Sequence, residues 1–139
     1  MREKGFFIRL QAEDGQVLSH VLTIVLIAVF IGAIIIQCGP VIWNHISIHG
    51  TADDAAQEAA ITYANSRGDM DRVYEAVNGV LESSDARLDG PINVLKGLNG
   101  EPDMVTVSIR KIANTFLFEK VGYLSKYTEA HAYSEYVIP

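Results

Sequence analysis

The feature that most constrains this chain is an apolar run from Val21 to Ile36, VLTIVLIAVFIGAIII, in which one Thr is the only polar residue. Extended to Val17 and Gln37, the run has about 20 residues without a Lys, Arg, Asp or Glu, enough for a helix that rises about 30 Å. The hydrocarbon core of a bilayer has that thickness. A core helix of a soluble protein seldom stays apolar on every face, so the run predicts a transmembrane helix.

Basic residues are distributed unevenly around this run. Arg2, Lys4 and Arg9 precede it, whereas no Lys or Arg occurs from Cys38 to Ser66. Basic flanks are retained in the cytoplasm, so we expect the N-terminus in the cytoplasm and the C-terminal part outside the cytoplasmic (inner) membrane.

A cleaved secretory signal is the rival interpretation of the run. No A-x-A-like site follows Ile36, however, and the run is longer than a typical signal core, which favours a retained anchor. The predicted organisation is a cytoplasmic leader (1–15), a transmembrane helix (16–38) and an extracytoplasmic domain (39–139).

Size and charge narrow the class of protein further. The chain has 139 residues, which allows one domain beside a membrane helix. Its net charge of −6 opposes contact with a phosphate backbone, so no nucleic-acid partner is expected. The single Cys38 cannot form an internal disulfide; a small buried hydrophobe is favoured over a lipidated or intermolecular thiol.

Two helices are predicted after the membrane. Gly39-Pro40 predicts that the membrane helix kinks there rather than stops. Thr51 with Asp54 is interpreted as a capping-box-like start of an Ala-rich helix, which ends near Arg67-Gly68. Alanines at three- and four-residue spacing form one face of it, which lets another backbone approach closely. Asp69 is predicted to cap a second helix that ends near Ser83-Ser84, with apolar positions at Met70, Val73, Tyr74, Val77, Val80 and Leu81.

Strands are predicted near the C-terminus. From Met104 the residues Val105, Val107 and Ile109 alternate with polar ones, and a second alternating stretch runs from Tyr127 to Val137. The connection between them is too apolar for a solvated loop, so we expect it to fold onto the core or to lie at an interface. Two helices followed by an antiparallel hairpin predict an α+β fold.

Candidate catalytic chemistry is sparse. His45 and His49 have a spacing that can hold a metal, and a metal hydrolase using them with Asp53 or Asp54 is one hypothesis, but no HExxH context accompanies them. We therefore expect no enzyme activity, catalytic residue, metal or cofactor. In lipid, Ala28 and Gly32 form a small-xxx-small step that permits close helix packing, and His20 lies where an imidazole would enter the membrane interface.

The order of these segments resembles a known family. Glu13-Asp14-Gly15-Gln16 runs directly into the apolar helix, the Ala-rich TADDAAQEAA follows, and a strand pair ends the chain. This arrangement resembles the TadE/TadG-like pseudopilins of tight-adherence (Flp) pilus systems. The resemblance implies that a prepilin peptidase cuts between Gly15 and Gln16.

The resemblance also implies partners. Family members usually carry a Glu five residues into the mature chain, where it pairs with the N-terminal amine of a neighbouring subunit; here His20 occupies that position and cannot supply the negative charge. A permanently anchored assembly factor is therefore an alternative to a processed subunit. In both cases Ala28, Gly32 and His20 are the expected contacts to membrane lipid and to other pilin-like or pilus-assembly subunits, or to a second copy.

A second function hypothesis comes from a different class. A membrane-tethered extracytoplasmic sensor or binding module would need no polymer, and cross-linking in intact cells separates it from a pilus component.

Overall fold

The computed structural model describes the backbone of residues 4–139 and the side chains of residues 15–139. Within these residues the predicted α+β class is confirmed. The elements are α1 (Lys4–Asn65), α2 (Met70–Ser83), β1 (Ala86–Leu88), β2 (Asn93–Leu95), β3 (Met104–Ile112), α3 (Phe116–Lys120), a 3₁₀ turn (Ser125–Tyr127) and β4 (Glu129–Val137). The chain divides into two compact units, Met1–Cys38 and Gly39–Pro139.

The described part of the first unit is helix. From residue 15 onward, mostly apolar side chains form the surface of this helix, and its most apolar stretch has no buried residue. The side chains of the predicted leader, including Arg2, Lys4 and Arg9, lie outside the described residues, so the leader stays a prediction.

Helix α1 continues through Gly39 and Pro40, so the expectation that Pro40 does not stop the helix is confirmed. The prediction of a new helix start at Thr51 is wrong. Thr51 lies inside α1, is buried, and donates its hydroxyl to the backbone oxygen of Ser47 at 3.2 Å. Because the preceding turn is already helical, the amides that follow Thr51 have carbonyl partners one turn back and need no cap.

The end of α1 is confirmed by its backbone geometry. Arg67 has a φ of 58° and Gly68 a φ of 89°, and the Gly68 amide donates to the backbone oxygen of Tyr63 at 2.9 Å. This is a Schellman-type ending in which Arg67 takes the left-handed position that glycine usually occupies. Asp69 then caps α2 as predicted, because its carboxylate accepts from the Asp71 amide at 3.1 Å.

Strand β3 is the centre of the sheet. It pairs along its whole length with β4, from Met104 opposite Val137 to Ile112 opposite Glu129, which confirms the predicted hairpin. Two strands that were not predicted share its other edge: β1 pairs with residues 109–111 and β2 with residues 104–106. All of these pairings are antiparallel, and the four strands form one sheet. The sheet is three strands wide at either end of β3, because β1 and β2 pair with different parts of the same edge.

The core of the Gly39–Pro139 unit lies between the helices and one face of the sheet. The alanine face of α1 is buried in it from Ala52 to Ala60, together with part of the apolar face of α2 and of the inward faces of β3 and β4. The buried members of the cluster are Ile48, Ala52, Ala55, Ala56, Ala59, Ala60, Val73, Val77, Leu81, Ala86, Ile92, Val105, Val107, Ile109, Ala130 and Ala132. The close approach that the alanines allow is therefore used by this chain's own core.

Candidate functional site

The largest candidate surface is the apolar side of α1 in the first unit. Most of its branched and aromatic side chains are more than half exposed, among them Leu22, Val29, Phe30 and Ile36. Soluble proteins rarely expose so many adjacent apolar side chains, and a surface of this size marks contact with lipid or protein. Among the described residues, α1 is the one helix long and apolar enough to cross a membrane.

The predicted processing position lies at the start of this surface. A Cβ built on Gly15 would meet no described atom within 4 Å, so a side chain at this position would have no described neighbour. Gln16 follows, and its backbone oxygen accepts from His20 Nδ1 at 2.7 Å. The structure thus brings Gln16 and His20 together, one turn apart.

The hydrogen bond of His20 determines what its ring can do. Nδ1 donates its hydrogen to the Gln16 backbone oxygen. In the neutral ring Nε2 therefore has a lone pair and can accept a hydrogen bond from a neighbouring donor. Thr23 behaves similarly, since its hydroxyl donates to the Ser19 backbone oxygen at 2.8 Å. Both polar side chains donate to a backbone oxygen of their own helix, which lowers the cost of placing them near lipid.

Ala28 and Gly32 lie one turn apart on α1, as their spacing predicts. Gly32 has no atom within 4 Å of a built Cβ, and Ala28 is exposed. The pair therefore forms a shallow step on the helix surface where another helix could come close.

The candidate metal ligands do not form a ligand set in the described part of the chain. His45 Nδ1 donates to the backbone oxygen of Val41 at 2.9 Å, and the Asp53 carboxylate accepts from the Ser134 hydroxyl. Among residues 15–139, no group of three or more His, Cys, Asp or Glu side chains is placed to hold one ion. Cys38 is a free, partly buried thiol.

Lys111 is a feature that sequence reasoning missed. It continues the inward alternation of Val105, Val107 and Ile109, is 7% exposed, and donates from Nζ to the Ser47 hydroxyl at 3.2 Å. The alternation itself was the available signal, since the fourth inward position of the strand is this lysine. The contact fixes one end of the β3–β4 hairpin beside Ser47.

A cluster of one histidine and two carboxylates on the outward face of the sheet was also missed. His131 contacts Asp89 through Nδ1 at 2.9 Å and Glu129 through Nε2 at 3.4 Å. Glu129 and His131 are two residues apart on one strand and share a face, but Asp89 follows the short β1, which the sequence did not reveal.

Comparison of the chain with protein-family models, with curated proteins and with solved structures finds no match.

Proposed function

We propose that this chain is a single-pass membrane protein that acts as a non-enzymatic, pilin-like component of a tight-adherence (Flp) pilus or a related assembly machinery. One observation carries the proposal: helix α1 contains an exposed apolar stretch long enough to cross a bilayer and, further along, the alanine face on which an antiparallel sheet packs. This arrangement is pilin-like, and the order of segments resembles the TadE/TadG-like pseudopilins.

The orientation follows from charge. Three basic residues precede the apolar stretch and none lies between Cys38 and Ser66, so the N-terminus stays in the cytoplasm and the Gly39–Pro139 unit lies outside the inner membrane. The leader is then on the cytoplasmic side, where a prepilin peptidase would cut between Gly15 and Gln16.

Association occurs through the membrane helix rather than through the Ala-rich extension. The alanines of the extension are buried in the chain's own core, whereas Ala28 and Gly32 are open. In lipid, helices associate by close packing, which small residues one turn apart permit. The partner is another pilin-like or pilus-assembly subunit, or a second copy of this chain.

Cross-linking in intact cells tests this function. The wild-type chain should give a ladder of species, and Gly32→Leu should abolish it because the new side chain fills the step beside Ala28. Ala33→Leu is the matched control, since Ala33 is exposed on an adjacent side of the same helix turn and its replacement should leave the ladder intact.

Two results would contradict the proposal. A wild-type chain that is always a monomer favours the tethered sensor or binding module instead. Equal loss of the ladder in both variants would mean that the step has no special role in packing.

A further inference from the structure

The connection between β3 and β4 exposes an unusual set of side chains. Residues 116–127, here called the connecting segment, contain α3 and the 3₁₀ turn, and neither element has a buried residue. Phe116, Val121, Tyr123 and Tyr127 are all exposed, Tyr123 to 69%. Because neither element has a buried residue, the segment does not fold into the core. Its apolar character then fits the other alternative, an interface with another molecule.

Lysines lie over the aromatic rings of the connecting segment. Lys120 Nζ is 4.4 Å from the centre of the Phe116 ring, and Lys126 Nζ is 4.4 Å from the Tyr123 ring and 5.0 Å from the Tyr127 ring. Two of the four lysines after residue 39 lie in this segment, which also contains Glu119 and no Arg. Its chemistry is apolar, aromatic and cationic in a chain that is acidic overall.

The hydrogen bonds of the hairpin place the connecting segment within its unit. Lys111 bonds Ser47, whereas Ser134, further along the hairpin, bonds Asp53. The end of the hairpin formed by Ile112 and Glu129 therefore lies beside the part of α1 that is nearer to Gly39. The connecting segment begins beyond that end of the strands, so it lies at the end of the unit where the chain enters.

The apolar run ends directly before this unit in the sequence, since Gln37 is two residues before Gly39. Within the unit, the segment lies on the side of Ser47 that faces Gly39. Val41 is already buried, so the folded unit reaches this part of α1. When the apolar run crosses a bilayer, the lipid headgroups begin in this region.

We propose that the connecting segment is a membrane-binding element, which lies on the outer surface of the bilayer that holds the apolar run and contacts anionic phospholipid headgroups. This inference rests on the proposed membrane insertion. Aromatic side chains favour the headgroup level, and lysines there extend their ammonium groups to lipid phosphates. A protein partner fits less well, because protein interfaces are depleted in Lys and enriched in Arg.

Fluorescence of a single tryptophan tests the proposal on the full chain. Trp43 is the only tryptophan, so Trp43→Phe provides a silent background in which Tyr123→Trp reports on the connecting segment. Tyr133→Trp is the matched control, because Tyr133 is 71% exposed and Tyr123 is 69% exposed. Tyr133 lies on β4 next to Ser134, further from the end of the unit where the chain enters. Both proteins are reconstituted in vesicles of phosphatidylcholine alone or mixed with phosphatidylglycerol, with brominated acyl chains as the lipid quencher and iodide as the aqueous quencher.

The expected result is a difference between the two positions. Trp at 123 should emit at shorter wavelength, be quenched by the brominated lipid and be protected from iodide, whereas Trp at 133 should be quenched by iodide only. Lys120→Gln with Lys126→Gln should reduce the protection at 123 in the vesicles that contain phosphatidylglycerol, because the attraction to anionic lipid is removed.

Each other outcome overturns a defined part of the account. A protein that floats with the vesicles while Trp at 123 is as open to iodide as Trp at 133 overturns the membrane-binding element and leaves the anchor standing. A protein that does not float with vesicles overturns the anchor and the element together. Protection in native membranes that is absent from lipid vesicles assigns the segment to a protein partner instead.

Discussion

Asp69 shows how much one side chain contributes to the turn between the two long helices. It follows the left-handed Arg67 and Gly68, accepts from the Asp71 amide, and also lies 3.5 Å from Arg72 Nε. The ion pair is exposed on both sides, so it adds little stability, whereas the cap satisfies an amide that has no helical partner. The cap is therefore the contribution that a substitution should reveal.

Asp69→Ala should lower the free energy of unfolding of the Gly39–Pro139 unit by about 1 kcal/mol, the usual value of an N-cap. Asp69→Asn is the control, since Asn caps as well as Asp but removes the ion pair, and its free energy of unfolding should stay close to that of the wild type. Urea unfolding of the full chain in detergent, followed by circular dichroism, measures both. Equal losses in the two variants would assign the effect to Arg72 and contradict the role of the cap.

At the scale of elements, the alanine face of α1 links sequence to packing most directly. The three- and four-residue spacing of its alanines predicted one small-sided face, and the structure packs that face against the rest of the core with no exposed area at Ala55, Ala56, Ala59 or Ala60. A helix that meets its neighbours through alanines has its backbone close to theirs and no room for a longer side chain.

Ala56→Leu should destabilise the unit by about 1–3 kcal/mol, because the added methylene and methyl groups have no space in the packed core. Gln57→Leu introduces the same side chain at the next position, which is exposed, and should change stability by less than about 0.5 kcal/mol. The urea midpoints of the two variants provide the comparison. Equal urea midpoints for the two variants would mean that the alanine face does not pack closely against the core.

Other elements could not be predicted from the sequence, for physical reasons that differ. Strands β1 and β2 have three residues each, too few for an alternating pattern, and they form only because β3 offers an open edge. Thr51 with Asp54 has the composition of a helix start, yet α1 already continues through Pro40 into this segment, and local composition does not record that. Composition showed that the connecting segment is apolar but left open whether it folds onto the core or is exposed, and its place within the unit depends on the contact of Lys111 with Ser47.

At the scale of the whole molecule, the helix that carries the apolar surface also supplies the alanines of the domain core. A change in the apolar stretch of α1 can therefore leave the Gly39–Pro139 unit intact, because the apolar surface and the core use different residues. Of the candidate site, the sequence predicted that Ala28 and Gly32 lie one turn apart, since this depends only on helical periodicity. The bond of His20 to Gln16 was not predicted, because helical periodicity gives the spacing of two residues but not the rotamer that joins them.

Removal of the leader is the prediction that most changes the molecule, because it decides whether the chain is a processed subunit or a permanent anchor. Gly15→Leu should block the cut, since the peptidase of the resembling family requires Gly before the scissile bond, and the helix accepts the change because no atom lies within 4 Å of the new Cβ. Gly50→Leu is the matched control in the same helix, where a Cβ also meets no atom.

Intact mass spectrometry of the three proteins reads the result directly. Residues 1–15 have a summed mass of about 1.8 kDa, so wild type and Gly50→Leu should each be lighter than Gly15→Leu by about 1.8 kDa. If all three retain Met1, the processing site is wrong. His20 then sits behind an intact leader with no free amine beside it, and its Nε2 acceptor must serve lipid or a neighbouring helix in an anchor that stays in the membrane.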